Sequence, residues 1–88
     1  MYQVHLSQKS EEFLNKLDSH IRERIENRLK KLSTIPIPSD AKFITRDEIN
    51  DKIFRYRVGD YRVLYKVKVK EQIVLITNID KRPRIYDR

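Results

Sequence analysis

An 88-residue chain with 39% hydrophobic and 38% charged residues has room for one thin core, so residues 1–88 are expected to form a single domain. It carries 20 Lys/Arg against 13 Asp/Glu and has no cysteine, which excludes disulfides, thiol nucleophiles and thiolate zinc sites. Met1–Leu6 lacks the basic start and apolar run of a signal peptide. No stretch approaches the roughly 20 apolar residues of a membrane span. A cytoplasmic protein without membrane contact is expected.

Tyr2 to Leu6 alternates Tyr, Val and Leu with Gln and His, the pattern of a first strand. Ser7 or Ser10 can then cap a helix, and Glu11 and Glu12 follow in its first turn, where the helix dipole favours carboxylates. Phe13, Leu14, Leu17, Ile21, Ile25, Leu29 and Leu32 recur at three- and four-residue intervals, an amphipathic helical region. Asp18-Ser19 divides it into a helical hairpin, with Ser19 expected to cap the second helix. Pro36 and Pro38 stop that helix and open a loop. Ala41–Thr45 reads as a short strand and Arg46–Asp51 as a polar turn. Three strands follow, near 53–58, 61–69 and 72–79. The last is almost continuously apolar and is expected to be central, with helices over one face. The predicted fold class is α+β, β-α-α-β-β-β-β, a small mainly antiparallel sheet with the N-terminal helical hairpin packed on one face.

The formal net charge of +7 is unevenly placed. Residues 1–49 hold nine Lys/Arg against eight Asp/Glu, whereas residues 50–88 hold eleven against five. A polyanion is the simplest partner for such a field. A single glycine leaves no phosphate-cradling glycine loop. His5 and His20 have no metal-ligand companion at useful spacing, and the serines sit at helix ends or in the proline loop. No cofactor and no metal is expected.

What remains is arginine, lysine and tyrosine. Arg55 and Arg57 are two residues apart, so both project from one face of a strand. Arg62 follows across the Gly59-Asp60 turn, and Lys81-Arg82-Pro83-Arg84-Ile85-Tyr86-Asp87-Arg88 closes the chain. Pro83 cannot continue a regular ladder, so this tail should leave the last strand as an arm. If the last strand lies beside the hairpin, Arg82, Arg84 and Tyr86 come near Arg55 and Arg62. Guanidinium groups bind phosphate oxygens with paired hydrogen bonds, and a tyrosine ring can stack on an unpaired base. By residue chemistry alone this is a binding surface, a catalytic one or a solvated face.

The order of elements, with Arg55-Tyr56-Arg57-Val58-Gly59-Asp60-Tyr61-Arg62-Val63-Leu64-Tyr65 and Lys81-Arg82-Pro83-Arg84-Ile85-Tyr86, resembles the RelE/ParE superfamily of toxin–antitoxin toxins, and most of all its RelE branch. The resemblance implies a ribosome-dependent endoribonuclease that cleaves mRNA by attack of the substrate's own 2′-hydroxyl. It implies Arg55, Arg62, Arg82 and Tyr86 as catalytic residues. Arg57, Lys52, Lys81 and Arg84 are the expected RNA-binding residues. Bacterial members often carry a lysine where this chain has Ile53. Lys52 should face the other way, which makes Arg57 the better substitute. The resemblance further implies a cognate RelB-like antitoxin, expected to be acidic, with the ribosome and mRNA as further partners and operator DNA reached only through the antitoxin. The alternatives are a ParE-like inhibitor of DNA gyrase and a non-catalytic nucleic-acid-binding module.

Overall fold

The computed structural model of the protein describes residues 1–81. Strand β1 (Gln3–Leu6) leads into helices α1 (Gln8–Asn15) and α2 (Ser19–Lys30), and a 3-10 turn (Lys31–Ser33) closes α2. Strands β2 (Lys42–Arg46), β3 (Lys52–Val58), β4 (Tyr61–Lys68) and β5 (Ile73–Lys81) follow. The five strands form one sheet in the order β1-β5-β4-β3-β2. All neighbours are antiparallel except β1 and β5. The α+β architecture expected from the sequence is therefore the observed one, with β5 inside the sheet.

The helix boundaries follow from local chemistry. Ser7 caps α1, its Oγ accepting from the Ser10 N–H at 3.1 Å, which satisfies one of the first-turn donors a helix leaves open. The expected cap of α2 needs correction. Ser19 is its first helical residue, and Asp18 holds the cap position without a side-chain hydrogen bond. Arg28 and Lys30 lie in the last turn, where cations complement the helix dipole.

Both helices cover one face of the sheet. Leu14, Ile25, Leu29 and Leu32 meet Phe54, Tyr56, Val58, Val63, Tyr65, Val74, Ile76 and Ile79 in one buried cluster. Alternation along β3 puts Phe54, Tyr56 and Val58 inward, and along β4 it puts Val63, Tyr65 and Val67 inward. Arg28 fastens α2 to this layer, its Nε and Nη2 donating to the Tyr56 hydroxyl at 3.1 and 2.9 Å. The Tyr65 hydroxyl donates to the Pro36 carbonyl at 2.9 Å, and burial pushes that phenol well above its usual range.

An irregularity in β5 decides which residues reach the other face. The β4–β5 register runs Leu64 to Asn78 and then Tyr65 to Ile76, so Thr77 is the extra residue of a bulge. Its hydroxyl donates to the Leu64 carbonyl at 3.2 Å. The inward set accordingly changes phase from Val74 and Ile76 to Ile79. Asn78 and Asp80 are left for the face without helices.

Candidate nucleic-acid interface

The β3–β4 hairpin turns at Gly59-Asp60, with Val58 paired to Tyr61. Gly59 has φ +59°, a conformation glycine adopts without steric cost and which suits the first position of a two-residue hairpin turn. The Arg24 guanidinium also packs on it, 3.3 Å from where a Cβ would stand. The turn therefore holds the register that sends Arg55, Arg57 and Arg62 to the face without helices.

Rows of paired residues cross that face. Nearest the turn, Arg57 lies opposite Arg62, which lies opposite Asp80 on β5. The next row is Lys42, Arg55, Leu64 and Asn78. The third is Thr45, Ile53, Lys66, Leu75 and His5. Ile53, Leu64 and Leu75 give the face a half-buried apolar strip beside the arginines.

The cations on this face fall into two groups. Arg62 Nε stands 3.6 Å from Asp80 Oδ1. Lys66 pairs with Asp47, and Lys68 Nζ lies 3.1 Å from Asp51 Oδ2. Asp47 is itself fixed, its Oδ1 accepting from the Ile49 and Asp51 N–H groups at 3.1 and 2.9 Å. The Lys66 ammonium, aided by these N–H groups, holds the Asp47 carboxyl below its ordinary value, and the Asp51 carboxylate raises Lys68 above its own. The loop between β2 and β3 thus neutralises the lysines of β4. Arg55, Arg57 and Lys42 have no ion-pair partner among the described residues. Like charges opposed across strands, as Arg57 and Arg62 are, cost stability rather than add it.

Of the residues singled out from sequence, Arg55, Arg57 and Arg62 come together here. Lys52 does not join them: its parity is that of Phe54 and Tyr56, and it projects toward the helix side at the start of β3, opposite Arg46. Lys81 pairs with Tyr61, whose ring packs edge-on against Phe13 on the helix side, and with Arg24 it lines a shallow cavity of about 200 Å³. Arg82, Arg84 and Tyr86 lie outside the described residues. Lys42 is the cation sequence reasoning missed. Its neighbour in the sheet is set by long-range register, and only the strand assignment of Ala41–Thr45 hinted at its place. Among the described residues no cluster of three or more His, Cys, Asp or Glu could hold a metal ion, and no helix is long and apolar enough to cross a membrane.

The model of the ParE toxin family of type II toxin–antitoxin systems matches residues 4–86, which takes in every element above except the first residue of β1. The chain belongs to this toxin family. The toxin is also 34% identical over 58 residues to a curated protein of Methanocaldococcus jannaschii that carries the name of a RelE1 toxin, a match covering 66% of this chain and 64% of that relative, so it spans just under two thirds of the relative's length. Among solved structures it is similar to the RelE–RelB complex of Pyrococcus horikoshii, with 26% identity, 94% of this chain and 97% of that chain covered, and a TM-score of 0.82. It is likewise similar to the RelBE toxin–antitoxin complex of Mycobacterium tuberculosis, with 28% identity, 92% and 98% covered, and a TM-score of 0.75. The isolated RelE toxin of Escherichia coli, at 21% identity, 99% and 93% covered, and a TM-score of 0.74, shares the fold. The family model carries the ParE name and the relatives carry the RelE name. Both belong to one RelE/ParE superfamily, and this toxin is a member of it.

Proposed function

We propose that this toxin is a cytoplasmic, ribosome-dependent endoribonuclease that cuts mRNA and so inhibits translation. The observation that carries the reading is the face of β3 and β4, where Arg55 and Arg57 stand without counter-ions beside Arg62 and an apolar strip. A surface that leaves two neighbouring guanidinium groups without counter-ions, while the Lys66 and Lys68 ammonium groups of β4 are matched by carboxylates, is suited to phosphate. In the proposed reaction the substrate's 2′-oxygen bonds to the adjacent phosphorus as the bond from phosphorus to the 5′-oxygen breaks. The 2′-hydroxyl gives up its proton, and the departing 5′-oxygen takes one. Arg55 and Arg62 would offset charge on the phosphorane, with Arg82 as a third cation. Such preorganised charge is worth about 10²–10³ in rate per donor in comparable sites. Arginine remains protonated at any physiological pH, so these groups supply charge and position, not a base. Tyr86 is proposed to stack on a base or to move a proton. The ribosome would supply the in-line geometry that a flat surface of this kind does not.

The similar toxins from Pyrococcus horikoshii and Mycobacterium tuberculosis are solved as complexes with antitoxins. We propose that this toxin likewise has a cognate antitoxin, acidic enough to complement the basic half of the chain, and that operator DNA is reached through that partner. The test is to map mRNA 5′ ends in a translating extract with wild type, Arg55→Ala, Arg82→Ala and Tyr86→Phe. Cleavage at discrete sites that falls about 10²-fold in Arg55→Ala supports the reading. Intact mRNA together with loss of DNA supercoiling would replace it with the gyrase reading.

A further inference from the structure

Anionic groups border the cationic face on two of its sides. On the β5 side Asp80 stands beside Arg62. At the far end of β4, Asp47 and Asp51 cover Lys66 and Lys68. A phosphate approaching either border meets a carboxylate, or a lysine whose charge is already matched. The third border is β2, the outer strand of the sheet, and it is different in kind. All five of its residues are exposed. Lys42 lies directly opposite Arg55 and has no ion-pair partner among the described residues. Phe43, next in the strand, is 55% exposed, although its ring meets Phe54 edge-on at 6.0 Å between centroids.

We propose that the RNA strand leaves the arginine face across the β2 edge, with Lys42 holding a backbone phosphate and Phe43 offering its ring to a base. The inference rests on the ribonuclease reading for the identity of the polyanion. Its geometry is that of an ordinary sheet: Arg57 to Arg55 is one two-residue step of about 6.6 Å along β3, and Arg55 to Lys42 one strand spacing of about 4.8 Å. Three unmatched cations thus follow a bent path from the hairpin turn to the edge. Lys42 supplies a point charge without sequence preference. Phe43 adds sequence-tolerant stacking where the strand rounds the edge. An aromatic ring left exposed on an outer strand is otherwise a liability for edge-to-edge association, and occupation by a nucleobase gives it a use.

The two residues have separable signatures. Binding of a short fluorescein-labelled 2′-O-methyl oligouridine, which cannot be cut by 2′-attack, is followed by anisotropy as salt rises from about 50 to about 200 mM. Lys42→Ala is expected to weaken binding several-fold and to reduce the log–log salt slope by about 0.7, the share of one phosphate contact on a single strand. Phe43→Ala should weaken binding with the slope unchanged. The paired variant Asp47→Asn/Lys66→Met, which removes a matched ion pair, should leave the slope as in wild type. Equal slopes for Lys42→Ala and wild type would overturn the route, as would a slope loss in the Asp47/Lys66 variant as large as that in Lys42→Ala. Cleavage in translating extract, run in parallel, separates the two levels. The Lys42 effect on binding without any mRNA cleavage supports the route and overturns the nuclease reading. Cleavage by wild type with Lys42→Ala indistinguishable in both assays overturns the route alone.

Discussion

Removing the Ser7 hydroxyl should cost more than a helix cap. Its Oγ accepts from the Ser10 N–H, and it also lies 3.1 Å from the Thr77 carbonyl and 2.9 Å from the Ser10 hydroxyl. Ser10 is the one buried polar residue among those described, and its Oγ donates to the Ile76 carbonyl at 3.2 Å. The start of α1 is therefore fastened to the β5 bulge. A lost serine cap costs about 1 kcal/mol, and a lost hydrogen bond to a carbonyl about 1 kcal/mol more. Ser7→Ala should lose about 2 kcal/mol, which for a domain of this size lowers Tm by about 8–15 °C. Urea titration followed by circular dichroism gives the free energy, and a thermal scan gives Tm. Ser7→Asp separates the two contributions, because a carboxylate caps the helix but cannot donate to Thr77. It should fall about midway between wild type and Ser7→Ala. A Ser7→Ala protein within 0.5 kcal/mol of wild type, a margin typical of surface substitutions at about that size, would refute the fastening argument. Ser7→Asp as stable as wild type would refute the bulge contact alone.

Three further outcomes follow from the geometry. Gly59→Ala must adopt φ near +59° and should lose about 1–2 kcal/mol, while Gly59→Asn, which tolerates that conformation better, should lose less; chemical denaturation ranks them. Tyr65→Phe leaves the Pro36 carbonyl without its donor and should lose about 1 kcal/mol at neutral pH. The Tyr65 phenol is raised by burial, so the folded form stays protonated where the unfolded chain ionises. Wild type should then lose stability as pH climbs above about 10, and Tyr65→Phe should remove that share of the loss. The Asp47 carboxyl is lowered chiefly by Lys66, so its contribution is present above about pH 4 and lost as pH falls through the folded value. Stability-against-pH curves should therefore show a shallower acid limb for Asp47→Asn than for wild type.

The periodicity of Phe13, Leu14, Leu17, Ile21, Ile25 and Leu29 located both helices, alternation located β1, β3 and β4, and a nearly continuous apolar run located β5. These signals report a buried face, and the buried face exists here as expected. Side-chain alternation also placed Arg55 and Arg57 together. What the sequence left open has a common cause. Lys52 faces the helix side, as its place beside Ile53 implied, and the parity of β5 past the bulge turns Lys81 the same way. Val69 extends the alternation of β4 yet lies past its end and is 64% exposed. The Thr77 bulge carries no composition signal, and without it the outward position of Asp80 cannot be counted from Val74. Lys42 depends on cross-strand register, which propensity does not set. The pairing of Lys66 and Lys68 with a loop read only as a polar turn was hidden for the same reason.

The strand order carries a consequence for synthesis. β1 is made first, yet its sheet neighbour is β5, whose first residue comes 67 positions after β1 ends. At about 5–20 residues per second, β1 waits on the order of three to thirteen seconds for the first residue of that strand to be translated. During that interval Leu14, Ile25 and Leu29 lack the Val74, Ile76 and Ile79 side chains that complete their core. Such long-range closure makes for slow folding. The nascent chain is thus held short of its finished core until β5 emerges.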